Sequence, residues 1–215
     1  TNSLVVRYSI PDSDDGKGLT FPLALYVDGV YRRDIVLTSE NVWVYGKYPW
    51  SNDPGLKNPR YFFDEVNILT DEIPAGSKLK LQRDSKEKIG FCLIDLIDTE
   101  IVAPPLAMPE NYLSITDFGA VANDGKDDGQ AFDACMKAAM EQKKGVWLPP
   151  GVFDFAKAER HLGNVVIRGA GMWHTVIKVD GNAFWGSGSN FEMHDFAIFG
   201  NTKFRIDSVS EDGFR

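Results

Sequence analysis

A single stretch limits what this chain can become. From Asn111 to Phe153 it reads NYLSITDFGAVANDGKDDGQAFDACMKAAMEQKKGVWLPPGVF. Phe132, Cys135, Met136, Ala139 and Met140 fall at i, i+3, i+4, i+7 and i+8. That is the period of an amphipathic helix with one apolar stripe. The helix is predicted to begin near Gly129, with Asp127 or Asp128 placed to accept its free N–H groups. Lys143 and Lys144 sit at its C-terminal end, and Gly145 is the expected terminator. Short strands flank it, Leu113-Ser114-Ile115 before and Val146-Trp147-Leu148 after, and Pro149-Pro150-Gly151 makes a turn. A lone helix among strands has one obvious job. It closes the end of a coil of strands that would otherwise expose its core.

The residues after Gly151 fit that job. Strands are predicted at Val152–Phe155, around Val165–Ile167, across Trp173–Val179 and across Phe191–Phe199. Val146, Val165 and Ala197 lie in similar segments, at the spacing of solenoid rungs. Gly169-Ala170-Gly171 is a turn and not a nucleotide loop, because His174 stands where GxGxxG needs its last glycine. Two or three rungs would leave an apolar end open. The chain also opens almost directly into a strand at Thr1 and stops in a loop-like EDGFR, so we expect it to be part of something longer.

Before the connector the period is two. Strands are expected at Leu4–Ile10, Leu23–Val27, Val30–Leu37, Asn41–Tyr45, Arg60–Val66, Lys78–Leu81 and Phe91–Ile97, with Asp28-Gly29 as a tight hairpin turn. Short strands with turn chemistry between them, and no helix pattern, indicate a β-sandwich. Asp12, Asp14 and Asp15 lack the glycine and glutamate spacing of an EF-hand and read as a solvated turn. The run IVAPPLAMPEN carries three prolines and marks the boundary. The expected division is a sandwich over residues 1–103, a connector at 104–111 and a helix-capped coil over residues 112–215. The fold class is mainly β throughout.

Charge bounds the partners. With 31 acidic against 23 basic residues the net charge is −8. That argues against nucleic acid or an anionic membrane surface and makes a polyanionic substrate less attractive. No run approaches the ~18 apolar residues of a membrane span. Cys92 and Cys135 fall in different predicted domains, and Cys135 lies on the apolar helix face, so buried thiols are expected rather than a disulfide.

Three sets of residues resemble known families. In the first part NSLVVRYSIPD, LALYVDG, FDEV, IPAGSKLKL and FCLIDLIDTE resemble the jelly-roll carbohydrate-binding modules of families 6 and 35. That resemblance implies a structural calcium, with Asp95 at the late acidic position that helps hold it. DFGA, DG, DD and AF followed by GVWLPPG resemble the opening of pectate-lyase-like right-handed parallel β-helices. It implies that Asp117, Asp124, Asp127 and Asp128 serve turns and capping, not catalysis. RGAGMWHTVI and SNFEMHDFAIFGNTKFRIDSVSEDGF, together with the sandwich before them, resemble glycoside hydrolase family 87, the bacterial α-1,3-glucanases and mycodextranases. That resemblance implies a secreted, monomeric enzyme that inverts the anomeric centre of α-1,3-glucan such as mutan or fungal-wall glucan. No cofactor is required for that catalysis.

Candidate binding residues follow. Trp50 sits in a Pro-rich loop, Trp173 and Trp185 stand in the rung region, and Asp207 and Asp212 lie in a loop that could border a groove. Asp195 and Glu211 are further carboxylates of the last rung segments. His174 and His194 are too far apart for a local zinc motif. An inverting hydrolase needs two carboxylates about 6.5–9.5 Å apart. We expect them in rungs beyond Arg215 and name none. A polysaccharide lyase on the same scaffold, or a non-catalytic sugar-binding or phage-adhesin β-helix, are the alternatives, since fold alone does not choose among them.

Overall fold

The computed structural model describes residues 1–84, 86, 88–156, 160–181, 184–186 and 190–200. They form two units, one over Thr1–Val102 and one over the described residues from Ala103 to Gly200.

The first unit carries β1 (Ser3–Ser9), β2 (Thr20–Val27), β3 (Val30–Thr38), β4 (Trp43–Val44), β5 (Arg60–Tyr61), β6 (Asp64–Leu69), β7 (Leu79–Gln82) and β8 (Leu93–Asp98). Two antiparallel sheets, ordered β6-β1-β8 and β3-β2-β7, enclose one core, and β4 and β5 form a separate ribbon. Alternate residues supply that core: Leu4, Val6 and Tyr8 from β1, Phe21, Leu23, Leu25 and Val27 from β2. Side chains alternate between the faces of a strand, so the period-two reading translates directly into burial. Asp28 and Gly29 both take positive φ, 51° and 81°, as the tightest hairpin turns require.

Two predicted strands are cut short. Asn41–Tyr45 keeps only β4, paired with β5, while Tyr45 bridges to Ser51, and side chains add to the hold. The Trp43 indole donates to the carbonyl of Ile10 at 3.0 Å, and the Tyr45 hydroxyl donates to Asp12 at 2.8 Å. Arg60–Val66 divides into β5 and β6, and Phe62 between them donates its amide to Val42. Asp14 and Asp15 are solvent-exposed, whereas Asp12 also gathers the amides of Ser13 and Gly18, so it organises the loop.

The second unit contains β9 (Tyr112–Ser114), α1 (Gly129–Gln142), β10 (Gly145–Leu148), β11 (Gly151–Phe155), β12 (Arg160–Leu162), β13 (Val166–Gly169), β14 (Thr175–Val179), β15 (Phe184–Gly186), β16 (Glu192–His194) and β17 (Ala197–Gly200). Among the described residues its ladders are all parallel. One sheet runs β16-β13-β10-β9, a second β11-β14-β17, and a third pairs β12 with β15. Following the chain, β10, β11 and β12 visit the three sheets in turn. Strands β13, β14 and β15 repeat the circuit, and β16 and β17 begin another. That is a parallel β-helix.

Register corrects the rung assignment. Val146 pairs with Ile167, and Ile167 with Met193, giving steps of 21 and 26 residues. Ala197 pairs with Val176 on the second face, so it is not equivalent to Val146. The run Phe191–Phe199 is two strands, because Asp195 takes a φ of 60° and turns the chain from one face to the next. Trp173 lies in the turn before β14, not in the strand.

Helix α1 closes the coil. Phe132, Cys135 and Ala139 are fully buried, and Phe132 packs on Phe155 and Phe184 at ring distances of 5.0 and 5.7 Å. Met140, expected on the same stripe, is 42% exposed. The helix ends at Lys143 in the left-handed conformation, with the amides of Lys143 and Lys144 returned to Met140 and Ala139. Gly145 therefore does not terminate it. That glycine opens β10, and a Cβ there would overlap the Tyr112 ring. The Cys135 thiol donates to the carbonyl of Leu113, burial pushes its pKa up to about 12, and neither cysteine is in a disulfide.

The acids before the helix divide the work. Asp127 Oδ1 accepts the amides of Gly129 and Ala156, both at 2.9 Å, so it ties the helix start to the end of β11. Asp128 accepts the Val121 amide at 2.8 Å and is 5% exposed, its second oxygen having no partner among the described residues. Burial lifts the Asp128 carboxyl above its ordinary pKa, although the Val121 amide opposes the shift. A raised folded pKa means that the folded state binds the proton more tightly. Asp128 therefore adds stability as pH falls through its folded pKa and subtracts it as pH rises. Wild type should gain unfolding midpoint relative to Asp128→Asn as pH falls from 7 toward about 4. Parallel midpoints across that range in thermal melts would contradict this.

The proline-rich residues after Val102 lie on the second unit. Leu106 donates its amide to Ala170, His174 Nε2 donates to the Ala103 carbonyl at 2.8 Å, and Asn111 accepts the Gly145 amide.

Candidate functional site

The outward face of the first parallel sheet offers the most chemistry. Val146, Leu148 and Ile167 point into the core, so their neighbours take the opposite face, where Ser114 and Trp147 are buried while Arg168 and His194 are partly open. Register aligns Ser114, Trp147, Arg168 and His194 in one row across four strands. Glu192 stands beside Val166 in the next row. Arg168 Nε meets Asp195 Oδ2 at 2.7 Å, and His194 Nε2 meets Glu192 Oε2 at 2.9 Å. Gly169 lets this row form, since a Cβ there would strike the Asp195 backbone. The row presents guanidinium, imidazole and carboxylates that can hydrogen-bond sugar hydroxyls. Each carboxylate is already matched to a basic group, which suits binding better than a free acid–base pair.

The residues singled out from sequence are not brought together. Trp173 is half-buried in the turn between β13 and β14. Trp185 belongs to β15 on the third sheet, where its ring lies 6.3 Å from that of His161. Trp50 is in the first unit, edge-on to Tyr48 at 5.8 Å, with the Arg60 guanidinium 5.1 Å from its ring centre. Asp95 lies on β8 and pairs with Arg7 at 3.5 Å. Among the described residues no group of three or more acidic, His or Cys side chains is placed to hold a metal. Asp207, Glu211 and Asp212 lie outside the described residues.

Sequence reasoning missed Arg168 and Glu192. Reading Phe191–Phe199 as one strand hid the break at Asp195. The signal that could have found them is alternation within the three residues Glu192–His194.

Comparison with known proteins places both units. Residues 1–102 match the family model described as "Alpha-1,3-glucanase catalytic domain D1", and residues 112–208 match "Rhamnogalacturonase A/epimerase, pectate lyase-like". The whole chain superposes on the crystal structure of the Agl-KA catalytic domain with a TM-score of 0.92 and 30% identity, spanning 40% of that chain. Against the catalytic unit of a thermostable family 87 α-1,3-glucanase from Streptomyces thermodiastaticus the TM-score is 0.75 and identity 29%, over 98% of this chain and 36% of that one. A family 87 α-1,3-glucanase catalytic domain in complex with nigerose shares the fold, with a TM-score of 0.70 at 22% identity, over 96% of this chain and 38% of that one. Among curated proteins, mannuronan C5-epimerase AlgE6 of Azotobacter vinelandii is 37% identical over 115 residues, 45% of this chain and 13% of that protein. The resemblance to glycoside hydrolase family 87 is borne out, and with it the mainly β fold class. The chain spans about 40% or less of the solved structures it resembles.

Proposed function

We propose that this chain is the N-terminal part of a secreted glycoside hydrolase that cleaves α-1,3-glucosidic bonds in α-glucan with inversion. One observation carries the reading. A sandwich of the glucanase domain family and a parallel β-helix follow each other in one chain, as in the Streptomyces catalytic unit that aligns over 98% of it. The net charge of −8 agrees with a neutral polymer. Inversion needs a protonated carboxylic acid on the leaving oxygen and a carboxylate that activates water from the opposite face. Glu192 and Asp195 are held by His194 and Arg168, so we assign that pair to residues outside those described. The outer-face row then orients the polymer. No cofactor is needed for the chemistry, and a structural calcium at Asp95 would serve the sandwich alone.

A second reading comes from the curated relatives, which are epimerases of a uronic-acid polymer. The two are separated by incubating the full-length protein with insoluble α-1,3-glucan and with polymannuronate. We expect reducing ends from the glucan, with the new anomeric centre inverted by NMR. Epimerised or unsaturated uronate product, with no reducing ends from glucan, would replace this reading.

A further inference from the structure

Strand β8 reads Leu93-Ile94-Asp95-Leu96-Ile97-Asp98, and all six residues are exposed. It is an outer strand, with β1 on one side and no strand on the other among the described residues. Its four aliphatic side chains are 38–48% exposed. The free N–H and C=O groups of an outer strand are a template for pairing with another chain, and short length or charge normally blunts them. The other outer strands of the sandwich follow that rule. Strand β3 places Arg32, Arg33 and Asp34 in succession, β6 exposes Glu65 and Asn67, and β7 is four residues long with Lys80 inside it. In β8 an aliphatic pair stands on each side of one acid.

That acid breaks the edge in two ways. Arg7 stands opposite Leu96 and Tyr8 opposite Ile94, so Asp95 is the extra residue of a bulge. A bulge leaves its extra residue unpaired and increases the local twist, which turns an edge away from a flat partner. The Asp95 carboxylate also reaches back to Arg7 at 3.5 Å, and the Arg7 guanidinium lies 5.7 Å from the Phe63 ring centre. Both members of the ion pair are about half exposed, so in water the pair contributes little stability. A strand laid beside β8 would cover it, and taking both charges out of water can cost more than their attraction returns. Two copies meeting edge to edge about a two-fold axis would bring two such pairs to one seam. With an apolar residue at this position, Leu93–Ile97 becomes an uncharged run of five strand-forming residues, the type that pairs edge to edge.

We propose that Asp95 guards the open edge of β8, its bulge and its charge together keeping a second copy of the chain from adding its own β8 there. The task needs a carboxylate at this point of the strand and no bound metal.

The test is sedimentation velocity of the full-length protein over a concentration series. Asp95→Val should bring self-association to roughly tenfold lower protein concentration than wild type. Asp95→Asn keeps the side-chain shape and should move the same way by a smaller factor, which covers the case of a valine variant that does not fold. Asp95→Glu keeps the charge and should sediment like wild type. Adding Leu96→Lys to Asp95→Val returns a charge to the edge and should restore wild-type behaviour. Asp14→Val makes the same exchange in an exposed turn and is the control. Wild-type sedimentation of both Asp95→Val and Asp95→Asn, or equal association of Asp14→Val, would overturn the guard. Wild type that associates once a calcium chelator is added would overturn it too, because Asp95 would then act by holding a metal.

Discussion

Phe132→Ala will destabilise the second unit by about 3–5 kcal/mol, the range for removing a buried aromatic ring from a packed core. Phe132 is fully buried and belongs to a triad in which each ring touches the other two, Phe155 and Phe184 closing it at 6.1 Å. These rings come from the helix, the second sheet and the third sheet. Their loss would uncouple the plug from the coil, not merely leave a hole in one layer. At roughly 2–4 °C per kcal/mol for a chain of this size, thermal unfolding of that unit should fall by about 10 °C. Phe132→Leu should recover much of the loss. A fall under about 3 °C for the alanine variant would mean that the helix is dispensable as a closure.

Gly169→Ala should be the most damaging single methyl in the coil. Its Cβ would meet the carbonyl of Asp195 and lie 2.7 Å from the Phe196 Cβ. Neither is a side-chain tip that can swing aside. The Asp195 carbonyl also accepts the Gly171 amide at 2.7 Å, so moving it breaks a second contact. Overpacking costs about 1–3 kcal/mol, and occasionally more where backbone must shift. The same shift would part Asp195 from Arg168 and disturb the outer-face row. Gly145→Ala is the informative comparison, because its clash is with the Tyr112 ring. Denaturant midpoints should rank wild type above Gly145→Ala and Gly145→Ala above Gly169→Ala. The reverse order would show that coil spacing is softer than the structure implies.

Legibility followed period and length. The helix could be read because its apolar residues recur over two turns with acids before it and lysines after it. The sandwich strands could be read because alternation survives in seven- to nine-residue runs such as β1, β2 and β3. The third sheet could not, since β12 and β15 are three residues each and β12 buries an arginine. That Arg160 is 4% exposed at its side chain, donates to Asp133 at 2.8 Å and lies over the Phe155 ring, contacts that no local pattern announces. Site residues were less visible for the same reason. Arg168 and His194 are 26 positions apart in sequence and adjacent only through register. Gly145 was read through its conformational freedom, when its small size is what the structure uses.

The hand-over between the units is one peptide bond wide. Asn2 brackets Val102, its side chain accepting that residue's amide and donating to its carbonyl. His174 takes hold of Ala103, the next residue. Anyone separating or exchanging the two units should therefore join them at Val102–Ala103. A junction placed after the prolines, where the sequence suggests it, would strip the second unit of a strap it keeps for itself.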